Sequence, residues 1–234
     1  MPESLTYDVP LVSTRYAARF FSFLASKGIT LGAIQTHNPE IKEFINNPDA
    51  YLSMNQVIPI IETSQWLLND DKAAFEFGQE LGLEEHGLFG YTLLSRQDHP
   101  QLVETVVRHM QICLPVFDME VIRNGRDVII RLHDTWNIGK ARAFIAKIYM
   151  GSTFTVASTI CRNIQFDCDF STDISNPEWS SLTPNATWNF DAQHNQITLQ
   201  QVKQANKNEK LKVVYSLAEN RRRNDHKQSS NNQD

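Results

Sequence analysis

Cysteine is scarce: the 234 residues hold three, Cys113, Cys161 and Cys168. An odd count with no CxxC pair excludes a disulfide framework and a Cys-rich zinc site. Long apolar runs are missing as well. Mean hydropathy is −0.38, and no stretch approaches the roughly 20 apolar residues of a membrane-crossing helix. The N-terminus, MPESLTYDVP, has acid where a secretory signal has positive charge, and no apolar segment follows it. A cytoplasmic protein is the expectation. Also missing are GxGxxG after a strand, GxxxxGK followed by Ser or Thr, GxSxG, HExxH and an EF-hand loop. These absences remove the usual phosphate-cradling, nucleophile-elbow, zinc and calcium readings. No catalytic constellation, metal site or cofactor is expected.

What is present suits a folded core. Hydrophobic residues make up 41% and aromatics 10%, enough for one large domain or two small ones. Charge is uneven. Residues 1–200 carry 14 Lys+Arg against 23 Asp+Glu, whereas residues 201–234 carry 8 against 4. An acidic body repels phosphate backbones, so no DNA-binding residues are nominated in it. Arg221, Arg222 and Arg223 in the basic tail are the exception, and a solvated, frayed tail is the plainer reading.

The first half reads as helices. Tyr16, Phe20, Phe23 and Leu24 share one face between Val12 and Lys27, and Gly28 stops the pattern. Helical pieces follow at residues 29–36 and 39–45, and Asn46–Asp49 is a turn. Ser53 and Gln56 have capping-box spacing, but Pro59 would then lie inside the helix. A start near Pro59, running to Leu68, is preferred, with Lys72–Leu81 as the next helix. Asp98 and Gln101 signal another helix start, and Val103, Val106, Val107, Met110 and Leu114 form its stripe.

The period then changes to two. Phe117–Arg123 and Asp127–His133 flank Asn124-Gly125-Arg126, a hairpin signal. A long helix is expected over residues 139–159, and a strand over 164–170. Two short strands, 187–191 and 196–200, follow with a turn between them. The fold class is α+β: an N-terminal helical half, then a β-hairpin, a long helix and a small antiparallel sheet. Residues 1–200 form the domain, and 201–234 form a polar, basic linker or tail, partly disordered, with one short helix at Leu211–Ala218.

Several groups carry residue types suited to chemistry. His37, His86, His99, His109, His133, His194 and His226 include no helical i, i+4 metal pair. His109, Arg131, His133 and Asp134 are the best residues for an enzyme or cofactor-binding alternative, though no nucleophile is paired with a base. Arg131 and Arg142 are candidates to converge on an anion, with surface ion pairs as the alternative. Asp167 and Asp169 are spaced to share a strand face as a carboxylate pair, with a solvent-facing strand edge as the plainer reading. Asp70-Asp71 and Glu84-Glu85 read as helix-boundary charge. Trp66, Trp136, Trp179 and Trp188 line a pocket or fill a core.

One run of residues resembles a family. His86-Gly87-Leu88-Phe89-Gly90-Tyr91-Thr92-Leu93-Leu94-Ser95, then Leu102 to Met110, is similar to the arabinose-binding-like N-terminal effector region of AraC-type transcriptional regulators. Upstream, Ile60-Ile61-Glu62, Asn69-Asp70-Asp71 and Phe77-Gly78 match its helix, break and glycine run. Downstream, VIRNGRDVIIRL and Phe190-Asp191-Ala192 with Asn195 and Ile197-Thr198-Leu199 match its later strands. The resemblance spans about residues 10–200. Proline usually follows the aspartate of the break, where this chain has Asp71, and no clear counterpart of a later family element stands at Leu182–Asn185.

The resemblance implies a sensing and dimerisation region that binds a small-molecule effector, expected in a cavity between the helical half and the strand half, and sets how paired DNA-binding domains sit. Family members continue into two helix-turn-helix units. Residues 201–234 are too few and too polar to form them, so the expectation is a sensor without its DNA reader. Such a chain would form a homodimer, or a heterodimer that titrates a full-length homologue. Relatives respond to chemically diverse molecules, and the matching positions read as turn glycines and packing residues, so no ligand contacts are nominated.

Overall fold

In the computed structural model the described residues are 6–44, 47, 49–81, 99–161, 163–170, 181–184 and 186–200. The glycine-rich run at 82–95, Glu84-Glu85, Asp98, Trp179, the tail arginines and the Leu211–Ala218 helix lie outside them.

Two short strands open the fold. β1 (Pro10–Ser13) pairs antiparallel with β2 (Tyr51–Ser53). Each ends in a serine that starts a helix. Ser13 caps α1 (Thr14–Ser26), its Oγ accepting from Arg15 N at 3.4 Å. Ser53 starts α4 (Met54–Leu68), where the Gln56 side chain reaches back to the Ser53 N–H at 3.0 Å. The helix therefore begins at Met54, not near Pro59. Proline removes one N–H from the ladder, and the cap together with buried Met54, Ile60 and Ile61 outweighs that loss. Between them lie α2 (Leu31–His37) and α3 (Ile41–Phe44). Gly28 (φ +82°) closes α1, and Asn69 (φ +43°) closes α4 before α5 (Ala73–Glu80).

α6 (His99–Cys113) buries the expected stripe Val103, Val106, Val107 and Met110, with Leu114 just beyond it. The hairpin follows as β3 (Phe117–Asn124) and β4 (Asp127–Asp134). Asn124 pairs with Asp127, so the loop is Gly125-Arg126 rather than Asn-Gly-Arg. Gly125 sits at φ +62° in the first loop position, as a type II′ turn requires.

α7 (Ala141–Ile160) is the centre of the molecule. Residues 144–154 are buried without a break. A helix covered all round has no polar face to spare, so its polar side chains need partners. Lys147 ion-pairs with Asp71, lies 3.2 Å from the Asp71 carbonyl and stands over the Phe170 ring at 5.1 Å. Asp71 thus serves as counter-ion to a buried lysine, and the Asp70 carboxylate accepts from Lys72 N at 3.0 Å.

β5 (Asn163–Asp167), β6 (Ala186–Asn189) and β7 (Asn195–Gln200) complete a sheet of order β3-β4-β7-β5-β6. The α+β class holds, but the sheet is mixed: β5 and β6 run parallel. The turn at 191–195 joins β6 and β7 in sequence only, because β5 stands between them. Phe117, Ile130, Phe166, Ile197 and Leu199 belong to the buried core, and Phe166 stacks on Trp188 with ring centroids 4.2 Å apart. Among the described residues no helix is long and apolar enough to cross a membrane.

Candidate functional site

A cavity of about 80 Å³ lies among the helices. β1 and β2 contribute Val12 and Leu52, which the serine-capped strand ends hold side by side. α1 contributes Tyr16, Ala17 and Phe20, and α4 contributes Val57, Ile60 and Ile61, each set on one helical face. Phe77 and Leu81 come from α5 and its C-terminal end, and Ile145, Ile148 and Tyr149 from α7. Leu114 and Val116, between α6 and β3, close the wall. No strand of the five-stranded sheet lines the cavity, so it sits within the helical half rather than between helices and sheet.

The Tyr149 hydroxyl is occupied. It donates to the Leu114 carbonyl and accepts from the Val116 N–H at 3.3 Å. Burial pushes its pKa well up, although the backbone hydrogen bonds pull the other way. The ring faces the cavity while the oxygen ties the chain between α6 and β3. No polar atom of the described lining faces the space.

The residues nominated for chemistry are dispersed. Arg142 donates to Asp134 at 2.7 Å and grips Asp169 with two bonds of 2.8 and 2.7 Å. The hydrogen bond to Asp169 raises the guanidinium pKa further above its ordinary value, against the opposing effect of burial. Arg131 instead donates to Gln196 at 3.1 Å, so the two arginines are committed to different partners.

Asp167 and Asp169 separate in the same way. β5 ends at Asp167, which accepts from Asn189, Gln196 and Gln165 at 2.7–2.9 Å. Desolvation raises the Asp167 pKa, but those three hydrogen bonds together win and hold the carboxyl below the usual range. Strand register aligns Glu120, Arg131, Gln196, Asp167 and Asn189 in one row across the sheet, so Arg131 and Asp167 belong to a polar ladder with Gln196 between them.

His133 Nε2 lies 3.0 Å from Glu120, a surface pairing. His109 is half-buried on α6, and burial lowers its pKa. Among the described residues no three His, Cys, Asp or Glu side chains are grouped to hold a metal. Cys161 and Cys168 are buried, at the end of α7 and just beyond β5. Trp136 is buried and donates to the Pro115 carbonyl at 3.1 Å. Trp66 is 68% exposed, against the core-or-pocket expectation, and meets His37 edge-on.

The cavity thus lies elsewhere than expected, not between the helical half and the strand half, and none of its wall residues is nominated from the sequence. Its signal was the apolar spacing on α1, α4 and α7, which cannot be distinguished in sequence from ordinary core.

Comparison with known proteins supplies the family. The sequence model for the arabinose-binding domain of AraC transcription regulators, N-terminal, matches residues 42–200. The ornithine utilization regulator of Pseudomonas aeruginosa is 20% identical over 157 residues, covering 67% of this chain and 46% of that protein. The chain thus spans about half the length of that curated relative. The crystal structure of the transcriptional regulator CdpR from Pseudomonas aeruginosa superposes with TM-score 0.54 at 12% identity, over 86% of this chain and 59% of that one. The fold is shared with CdpR, and the matched relatives are transcription regulators rather than enzymes. The family match covers five of the cavity's wall segments, β2, α4, α5, the α6–β3 junction and α7, and the chain belongs to the arabinose-binding N-terminal domain family of AraC transcription regulators.

Proposed function

We propose that residues 1–200 are the effector-sensing and dimerising domain of a cytoplasmic bacterial AraC-type regulator, and that the effector occupies the cavity among α1, α4, α5 and α7. The observation that carries this reading is the cavity's wall. It draws on seven segments spread from residue 12 to residue 149, so one small ligand touches most of the helical half at once. A ligand that fits one arrangement of those segments better than another shifts the population toward it. α7 is the natural transmitter. Its first half walls the cavity at Ile145, Ile148 and Tyr149, and its second half packs Thr153, Val156 and Ala157 beside Ile130 and Leu199 of the sheet.

DNA recognition is assigned elsewhere, to a helix-turn-helix domain of the same regulator or of a full-length partner. The acidic balance of residues 1–200, 14 Lys+Arg against 23 Asp+Glu, supports that division. Residues 201–234 are the polar, basic linker in this reading. A thermal-shift screen of metabolites, followed by sedimentation with and without each hit, tests it. The expected result is a saturable rise in Tm from at least one small molecule and a concentration-dependent dimer. Failure of every hit to saturate would remove the sensing role, and a monomer at all concentrations would remove dimerisation.

A further inference from the structure

The family description mentions a sugar, and one relative's name mentions an amino acid. The described wall of the cavity suits neither. We infer that its ligand is the end of a straight alkyl chain, inserted between α1 and α4. This rests on the cavity being the effector site.

A sugar or an amino acid brings several hydroxyl, ammonium or carboxylate groups that have lost water on entry. Each needs a partner inside, and a group without one weakens binding steeply. The described wall offers none. Its one deeply buried hydroxyl, that of Tyr149, is already held between Leu114 and Val116. Hydrocarbon loses nothing in such a place and gains close contacts.

Size narrows the class. The space is about 80 Å³, near half of the roughly 150 Å³ that lets a dry engineered cavity take up benzene. A ring does not fit without displacement, but the slim end of a chain does. Tyr16, Ala17 and Val57 are half-buried while the other lining residues are buried, which locates the opening between α1 and α4. A polar head can stay at that opening, in contact with water.

The test uses the full chain with 1-hexanol as probe, against L-arabinose and ornithine. The readout is the methyl NMR signals of Ile60, Ile145 and Ile148. Hexanol should shift them saturably, and the polar probes should not. Ala17→Leu fills the opening and should weaken hexanol binding by about tenfold or more. Val57→Ala widens it and should extend binding to benzene, which keeps the inference testable should Ala17→Leu not fold. Shifts from arabinose or ornithine, or hexanol binding that leaves the wall methyls unmoved, overturn the alkyl assignment while the sensing role stands. No saturable response to any probe removes both.

Discussion

The crossing of α5 and α7 is tight enough to make a single methyl group costly. Gly78 and Gly151 face one another there. A Cβ on Gly151 would lie 2.2 Å from the Phe75 carbonyl oxygen, and one on Gly78 would lie 2.2 Å from that of Ile148. Ordinary contact begins near 3.4 Å, so the helices must part by about 1 Å. Two hydrogen bonds depend on the close approach. Ser152 Oγ donates to the Leu81 carbonyl at 2.7 Å and Thr155 Oγ1 to the Gln79 carbonyl at 3.0 Å, satisfying carbonyls at the end of α5.

Gly151→Ala gains about 1 kcal/mol of helix propensity. It loses roughly 1–3 kcal/mol to overpacking and about 1 kcal/mol for each stretched hydrogen bond. The expected net loss is about 2–4 kcal/mol, or a fall in Tm of very roughly 5–15 °C for a domain of this size. Urea unfolding should show a lower midpoint with unchanged slope. Gly32→Ala is the control. Its Cβ meets only the Thr30 side chain, at 3.9 Å, so it should be neutral or stabilise by up to about 1 kcal/mol. Equal midpoints for the two variants, or a rise for Gly151→Ala, would refute the close-packing argument.

Other expectations follow from the polar contacts. Tyr149→Phe leaves the Val116 N–H and the Leu114 carbonyl without this partner, and should cost about 1–3 kcal/mol in urea unfolding; no loss would mean those groups find other partners. Arg142→Ala cuts the link from α7 to Asp134 and Asp169 and should cost roughly 1–3 kcal/mol, with Arg142→Lys restoring only part because it lacks the two-pronged fork. The Asp167 carboxyl titrates lower in the folded state, so its stabilisation is complete above the unfolded value of about 4 and is lost as pH falls through the folded value. The midpoint gap between wild type and Asp167→Asn should therefore be larger at pH 7 than at pH 3, and a gap independent of pH would contradict the hydrogen-bonding account.

Local patterns in the chain were readable where a single element decides its own geometry. The stripe from Val103 to Leu114 predicted the buried face of α6, because apolar spacing and burial face are the same fact seen twice. Gly125 marked the hairpin because only a residue tolerant of positive φ fits the first loop position. β1 and β2 went unseen: strands of 4 and 3 residues carry too little alternation to register. The start of α4 is not legible locally, because Pro59 is a fault in the sequence pattern while the burial that offsets it comes from distant parts of the chain. Arg131, Arg142, Asp167 and Asp169 looked like converging charges in sequence. Strand register and the end of β5 dealt them different partners.

Alone, the sequence determined the fold class, most of the elements, the absence of recognisable catalytic motifs and the family resemblance, since all of these follow from short-range spacing and composition. Only the tertiary structure decided that β5 and β6 run parallel, that α7 is enclosed on every side, and that an apolar cavity opens among the helices. The reason is physical. A cavity is set by the distance between elements remote in sequence, and residues that wall a cavity have the same character as those that fill a core.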